Sequence, residues 1–243
     1  MFDLYWEYYI MGIILLPAII LAAYAQSKVS STYNKFSRVA SQKGMRACEM
    51  ARLLLDCADL KNVEVIKING HLTDYYDHKK QVVALSASNY ESTSIAALGV
   101  AAHEVGHALQ YKNDYLPIKL RSFIIPIVNF SSTALWPLVL IGLICNFAVI
   151  PGTIFGNIFL WSGVAMFGLA AIFDLITLPC EYNASNRALQ LLEQTEILTS
   201  EETQGAKKVL SAAALTYVAS LLNSILNLVR FILVFLMHAK RDD

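Results

Sequence analysis

The most reactive stretch of the chain is His103-Glu104-Val105-Gly106-His107, an H-E-x-x-H pattern. On an α-helix, side chains four positions apart sit one above the other on one face. Two imidazoles so placed can grip a single zinc ion, and the glutamate beside the first histidine can take a proton from water that the ion acidifies. Metal-assisted hydrolysis is the chemistry these five residues point to, with one Zn2+ per chain, His103 and His107 as ligands and Glu104 as general base. Two histidines do not complete a catalytic zinc site. A third protein ligand is needed, with one position left open.

The elements that must position this pair can be read from periodicity and caps. Ser92-Thr93-Ser94 supplies helix-cap chemistry, so a helix is predicted over 95–111. Upstream, Ala47, Met50, Ala51, Leu54 and Ala58 recur at helical spacing and predict an amphipathic helix over 44–60. Two β-prone runs, 63–68 and 81–85, flank a polar, turn-rich link at 69–78 and predict a small antiparallel sheet. The second run, directly before the histidine helix, is a candidate edge to which an extended substrate could add as a further strand.

Composition predicts a membrane protein. Of 243 residues, 56% are hydrophobic and only 16% charged, well under the roughly 25% charged residues of soluble domains. The formal net charge of zero gives no electrostatic case for nucleic acid. The four cysteines contain no C-x-x-C and read as reduced structural thiols. Apolar runs at 4–24, 123–150, 155–178 and 209–237 predict about four crossings, the middle two forming a hairpin about Pro151-Gly152-Thr153. The first run lacks a basic leader and reads as an uncleaved anchor. Segment by segment, the expectation is an anchor at 1–25, a polar domain at 26–122, a hairpin at 123–179, a polar helix at 180–208, and an interfacial or transmembrane helix with its tail at 209–243. Residues 26–122 hold thirteen Lys/Arg, so the polar domain is predicted to face the cytoplasm from a plasma-membrane location.

Glu181 and Asp174 compete for third ligand. The hairpin crosses twice, so Glu181 returns to the side of the histidines, and Pro179 predicts a helix start there with Glu181 near its cap. Asp174 lies deeper in an apolar run and suits a histidine helix within the bilayer. The 95–109 stretch is too short to span and is followed by Lys112, Asn113 and Asp114, which favours Glu181.

Several further stretches carry a resemblance: Val29-Ser30-Ser31-Thr32-Tyr33, the run Gly70-His71-Leu72-Thr73-Asp74-Tyr75-Tyr76-Asp77, the residues around the histidine pair, Leu178-Pro179-Cys180-Glu181-Tyr182-Asn183-Ala184-Ser185, and Gly205-Ala206-Lys207-Lys208-Val209-Leu210. In these the chain resembles the YugP-type neutral zinc metallopeptidases of bacterial membranes, a group related to the prenyl-protein and heat-shock membrane zinc proteases. The resemblance implies zinc held by His103, His107 and Glu181, with Glu104 as base. It departs from the family pattern at Asn183, where aspartate is usual, and at Asn186, where a basic residue is. In the broader group an aspartate stands at the place of Ser185. These departures imply a weaker set of hydrogen bonds around the histidines.

The fold class expected is a mainly α, multi-pass membrane protein, with a zincin-like catalytic domain, a small antiparallel sheet and about four transmembrane helices. The expected activity is endopeptidase cleavage of proteins or peptides at the cytoplasmic face of the lipid bilayer. His71, Tyr75, Tyr76, His78, Tyr182 and Arg187 are candidates to stabilise the transition state, and Asn183 and Ser185 to support the ligands. Two other readings are an intramembrane protease of the site-2 kind using Asp174, and a non-catalytic metal-binding membrane scaffold.

Overall fold

The computed structural model describes residues 12–145 and 154–239. Among them run seven helices and three strands in the order α1 (Leu16–Phe36), α2 (Ala47–Cys57), β1 (Glu64–Ile68), β2 (Tyr75–Asp77), β3 (Val82–Ser86), α3 (Ala87–Tyr90), α4 (Ile95–Lys112), α5 (Leu116–Ile144), α6 (Ile154–Gln194) and α7 (Ser200–Ala239). The chain divides into two compact units. One comprises Tyr24–Lys119 and Pro179–Thr216; the other holds the described residues of 12–23, 120–145, 154–178 and 217–239.

The first unit has a conventional apolar core. Its helix α2 buries Ala47, Met50, Ala51, Leu54 and Leu55, the stripe that the 3.6-residue period demands. Met50, Leu54 and Leu55 pack with Val83 and Leu85 of β3, Leu98 and Val105 of α4, Leu192 of α6 and Leu210 of α7. Each such side chain contributes roughly 1.5–3 kcal/mol by leaving water. The start of α7 is set by a reciprocal capping box. Thr199 Oγ1 accepts from the Glu202 N–H at 3.3 Å, and Glu202 Oε2 accepts from the Thr199 N–H at 2.8 Å.

The sheet corrects the expectation of a simple antiparallel pair. Its order is β1-β3-β2, with β1 parallel to β3 and β2 antiparallel to it. The reason lies in the link. It is too long for a hairpin, and its aromatic Tyr75-Tyr76-Asp77 segment forms a strand of its own on the far edge. A tight turn then reverses the chain into β3, with Asp77 Oδ1 accepting the N–H groups of Lys79 and Lys80 at 2.9 and 3.1 Å. The strand β3 is therefore central, paired on both edges and buried at all five positions. No edge is left at Val82–Leu85 for a substrate strand, and that expectation falls.

In the second unit, apolar side chains such as Phe123, Phe130 and Trp136 point outward, each about two-thirds exposed or more. Among the described residues, three helices have stretches long and apolar enough to cross a membrane: Leu116–Gly142, Trp161–Gln194 and Ser200–Leu233. The predicted first crossing falls partly on residues 4–11, and the hairpin turn on 151–153; both lie outside the described residues. Pro179 does not start a helix, as the sequence had suggested. It sits inside the continuous α6, so Glu181 occupies a mid-helix position and is not a cap. Asp174 is engaged within the second unit, where its Oδ2 accepts the hydroxyls of Ser220, at 3.2 Å, and Ser224.

Candidate metal centre

The site is built within the first unit from α4 and α6. Ser94 caps α4, its hydroxyl accepting the Ala97 N–H at 3.3 Å. From there the helical period carries His103 and His107 to one face, their rings edge to face with centroids 4.7 Å apart. Helix α6 meets that face at Gly106. A Cβ at Gly106 would lie 2.3 Å from the Ala184 carbonyl oxygen, so only glycine lets the two backbones come this close. The approach brings Glu181, three residues before Ala184, over the histidine pair.

Glu181 Oε2 lies 3.2 Å from His103 Nε2 and 3.6 Å from His107 Nε2. The three potential ligand atoms fall within 4.8 Å of one another, and they form a group that could hold a metal ion. A tetrahedral zinc with bonds near 2.0–2.1 Å has ligand–ligand edges of roughly 3.3 Å, so these two separations suit that ion. The chemistry of the donors agrees. His107 Nδ1 faces Gln110 Oε1 at 2.9 Å, and His103 Nδ1 faces Ser185 Oγ at 3.1 Å. With protons on Nδ1, both Nε2 atoms present lone pairs to a carboxylate oxygen, and three acceptors converge. Such a cluster could hold a cation.

Without a metal, a proton can fill part of that role. Burial disfavours a charge on His107, but the Glu181 carboxylate, followed by Glu104, outweighs it and holds the His107 pKa above its ordinary value. Glu104 is a buried carboxylate, 7% exposed, and among the described residues it makes no hydrogen bond or ion pair. Burial raises its pKa, opposed by the attraction of His103 and His107. A buried carboxylate beside a trio that could hold a metal is placed to accept a proton.

A sequence profile described as "Putative neutral zinc metallopeptidase" matches residues 11–236. The chain belongs to this family of neutral zinc metallopeptidases. A relative from Bacillus subtilis (strain 168), named "Putative membrane protease YugP", is 43% identical over 222 residues, covering 91% of this chain and 94% of that protein. No solved structure matches.

For this member of the neutral zinc metallopeptidases, the remaining sequence candidates divide into two groups. Ser185 and Asn183 lie at the trio's support: Ser185 on His103, and Asn183 accepting from Gln110 Nε2 at 3.1 Å and from Arg187 Nε at 2.7 Å. Arg187 also lies over the Tyr115 ring, 5.9 Å from its centre. The aromatic candidates have other partners. His78 stacks on Tyr111 with centroids 4.4 Å apart, Tyr76 packs on the same ring and its hydroxyl accepts from Gln81 at 3.2 Å, and His71 meets the Tyr33 ring edge to face. Tyr75 and Tyr182 are exposed. Asp174, the rival third ligand, does not join the cluster.

Sequence reasoning missed Gln110 and Asp74. Gln110 is fully buried and stands three residues after His107, a spacing that places both on one helix face and was legible as such. Asp74 takes the Ser86 N–H at 2.8 Å, the Ser86 hydroxyl at 2.9 Å and the Asn89 amide at 2.7 Å, tying the 69–74 link to the end of β3. Only the fold brings those partners together.

Proposed function

We propose that the chain is a membrane-anchored zinc endopeptidase with a zincin-like centre, cleaving peptide bonds at the cytoplasmic membrane face. The observation that carries this reading is the meeting of His103, His107 and Glu181 ligand atoms from two helices within 4.8 Å. Those three residues would hold the ion. When bound, zinc supplies Lewis acidity, making water more acidic and a substrate carbonyl more electrophilic. Glu104 is the residue that takes the proton from the attacking water and hands it to the leaving amine. It stands next to His103 in the chain, directly before Val105, so its carboxylate is close enough to the trio for that transfer. The thirteen basic residues of 26–122 support the cytoplasmic orientation, and the apolar helices support a multi-pass anchor in the plasma membrane.

The test uses three variants of the full chain, each assayed for bound zinc and peptidase activity. Glu104→Gln is expected to keep its zinc and lose activity by about 10²–10⁴-fold, the usual worth of a general base. Glu181→Ala is expected to lose zinc, and Asp174→Asn to keep it. Full activity in Glu104→Gln would remove the enzymatic reading in favour of a metal-holding scaffold. Zinc loss in Asp174→Asn with retention in Glu181→Ala would move the site into the bilayer.

A further inference from the structure

The amide of Gln110 has acceptor-only or donor-directed atoms on every side, and this fixes which way round it sits. Its Nε2 lies 2.7 Å from the Cys180 carbonyl oxygen, which can only accept. The same Nε2 lies 3.1 Å from Asn183 Oδ1, and that oxygen is itself identified because it accepts from Arg187 Nε at 2.7 Å. A flipped Gln110 would set oxygen against oxygen at both contacts. The Nε2 therefore donates toward α6, and Oε1 is left facing His107 Nδ1 at 2.9 Å. A carbonyl oxygen there accepts a proton on Nδ1 and repels a lone pair, so His107 carries its hydrogen on Nδ1. In the neutral ring the lone pair is then on Nε2, the nitrogen that faces Glu181 at 3.6 Å.

We propose that Gln110 is a positioning residue for metal binding, fixing the His107 tautomer and coupling that ligand to the helix that carries Glu181. The inference rests on the zinc reading of the site. The two histidines are supported unequally. Ser185 Oγ can donate or accept, so it tolerates either tautomer of His103, whereas the Gln110 amide permits one tautomer of His107. Gln110 is buried completely and its partners Cys180 and Asn183 flank Glu181 by one and two positions, so one side chain ties the second ligand to the third. In this chain the glutamine bears the orienting role more than the residue at Ser185 does.

The experiment compares the purified full-length protein with Gln110→Met, Ser185→Ala and Glu181→Ala, reading zinc affinity by chelator competition and thermal unfolding with and without zinc. Methionine fills the same space without the amide. Gln110→Met is expected to bind zinc about 10–100-fold more weakly, with a smaller loss in Ser185→Ala. An affinity within about twofold of the parent in Gln110→Met, beside loss of zinc in Glu181→Ala, overturns the role of Gln110 and leaves the site standing. Lower stability of Gln110→Met with an unchanged zinc-induced shift likewise overturns it, since that is what a packing role alone produces. Parent-like zinc binding in Glu181→Ala overturns the site and this inference together. A second measurement needs no substitution: ¹⁵N spectra of the histidine-labelled parent are expected to show His107 protonated on Nδ1, and a proton on Nε2 with bare Nδ1 refutes the proposal even if Gln110→Met fails to fold.

Discussion

Replacing Gly106 with alanine separates helix propensity from helix crossing. In an exposed helix interior, glycine to alanine stabilises by about 1 kcal/mol. At Gly106 the added Cβ would stand 2.3 Å from the Ala184 oxygen, 3.0 Å from its carbonyl carbon and 3.3 Å from its Cα. All three are backbone atoms of a long helix, so no side chain can turn aside. Restoring ordinary contact requires α4 and α6 to part by about 1 Å locally, an overpacking cost of roughly 1–3 kcal/mol. The same displacement acts on the proposed ligands. His107 and Glu181 start 3.6 Å apart, and a further ångström exceeds the roughly 0.2 Å tolerance of zinc–ligand bonds. Gly106→Ala is therefore expected to lose both stability and at least about tenfold in zinc affinity. Thermal unfolding and chelator competition measure the two effects. A variant that is as stable as the parent, with parent-like zinc affinity, would show that the helices do not cross as closely as argued.

Two other outcomes follow from the carboxylates of Glu104 and Asp74. The metal-free protein holds the Glu104 pKa above its ordinary value because the carboxylate is buried, so the folded state binds this proton more tightly than the unfolded chain. That group's contribution is intact at low pH and is lost as pH rises through the raised pKa. Glu104→Gln in chelator is accordingly expected to unfold at a higher temperature than the parent at pH 8, with the gap closing toward the ordinary glutamate range; a gap indifferent to pH refutes the assignment. Asp74→Ala is expected to cost about 2–4 kcal/mol in denaturant unfolding, because it strands the Ser86 N–H and the Asn89 amide, both on buried residues. Asp74→Asn, which keeps one acceptor, should recover part of that loss, and a cost below about 0.5 kcal/mol in the alanine variant would contradict the network.

The sequence by itself determined the local features. The cap at Ser94, the stripe of α2, the apolar helices and the H-E-x-x-H spacing all depend on interactions within a few residues, and periodicity reports those directly. It also narrowed the third ligand to two carboxylates. What it could not carry was pairing across long separations. The 63–68 and 81–85 runs were legible as strands, yet their parallel relation depends on Tyr75–Asp77 taking the outer edge, a choice among partners of similar intrinsic preference. The same holds at the metal centre. Only the crossing at Gly106 and Ala184 brings Glu181 to the histidines while Ser220 and Ser224 retain Asp174. Only that crossing, too, lays the Cys180 carbonyl and Asn183 against Gln110, turning an unremarked glutamine into the group that orients His107. Backbone approach at a single glycine is a tertiary fact, because the distance from a Cβ to a carbonyl 78 residues onward has no signature in local composition.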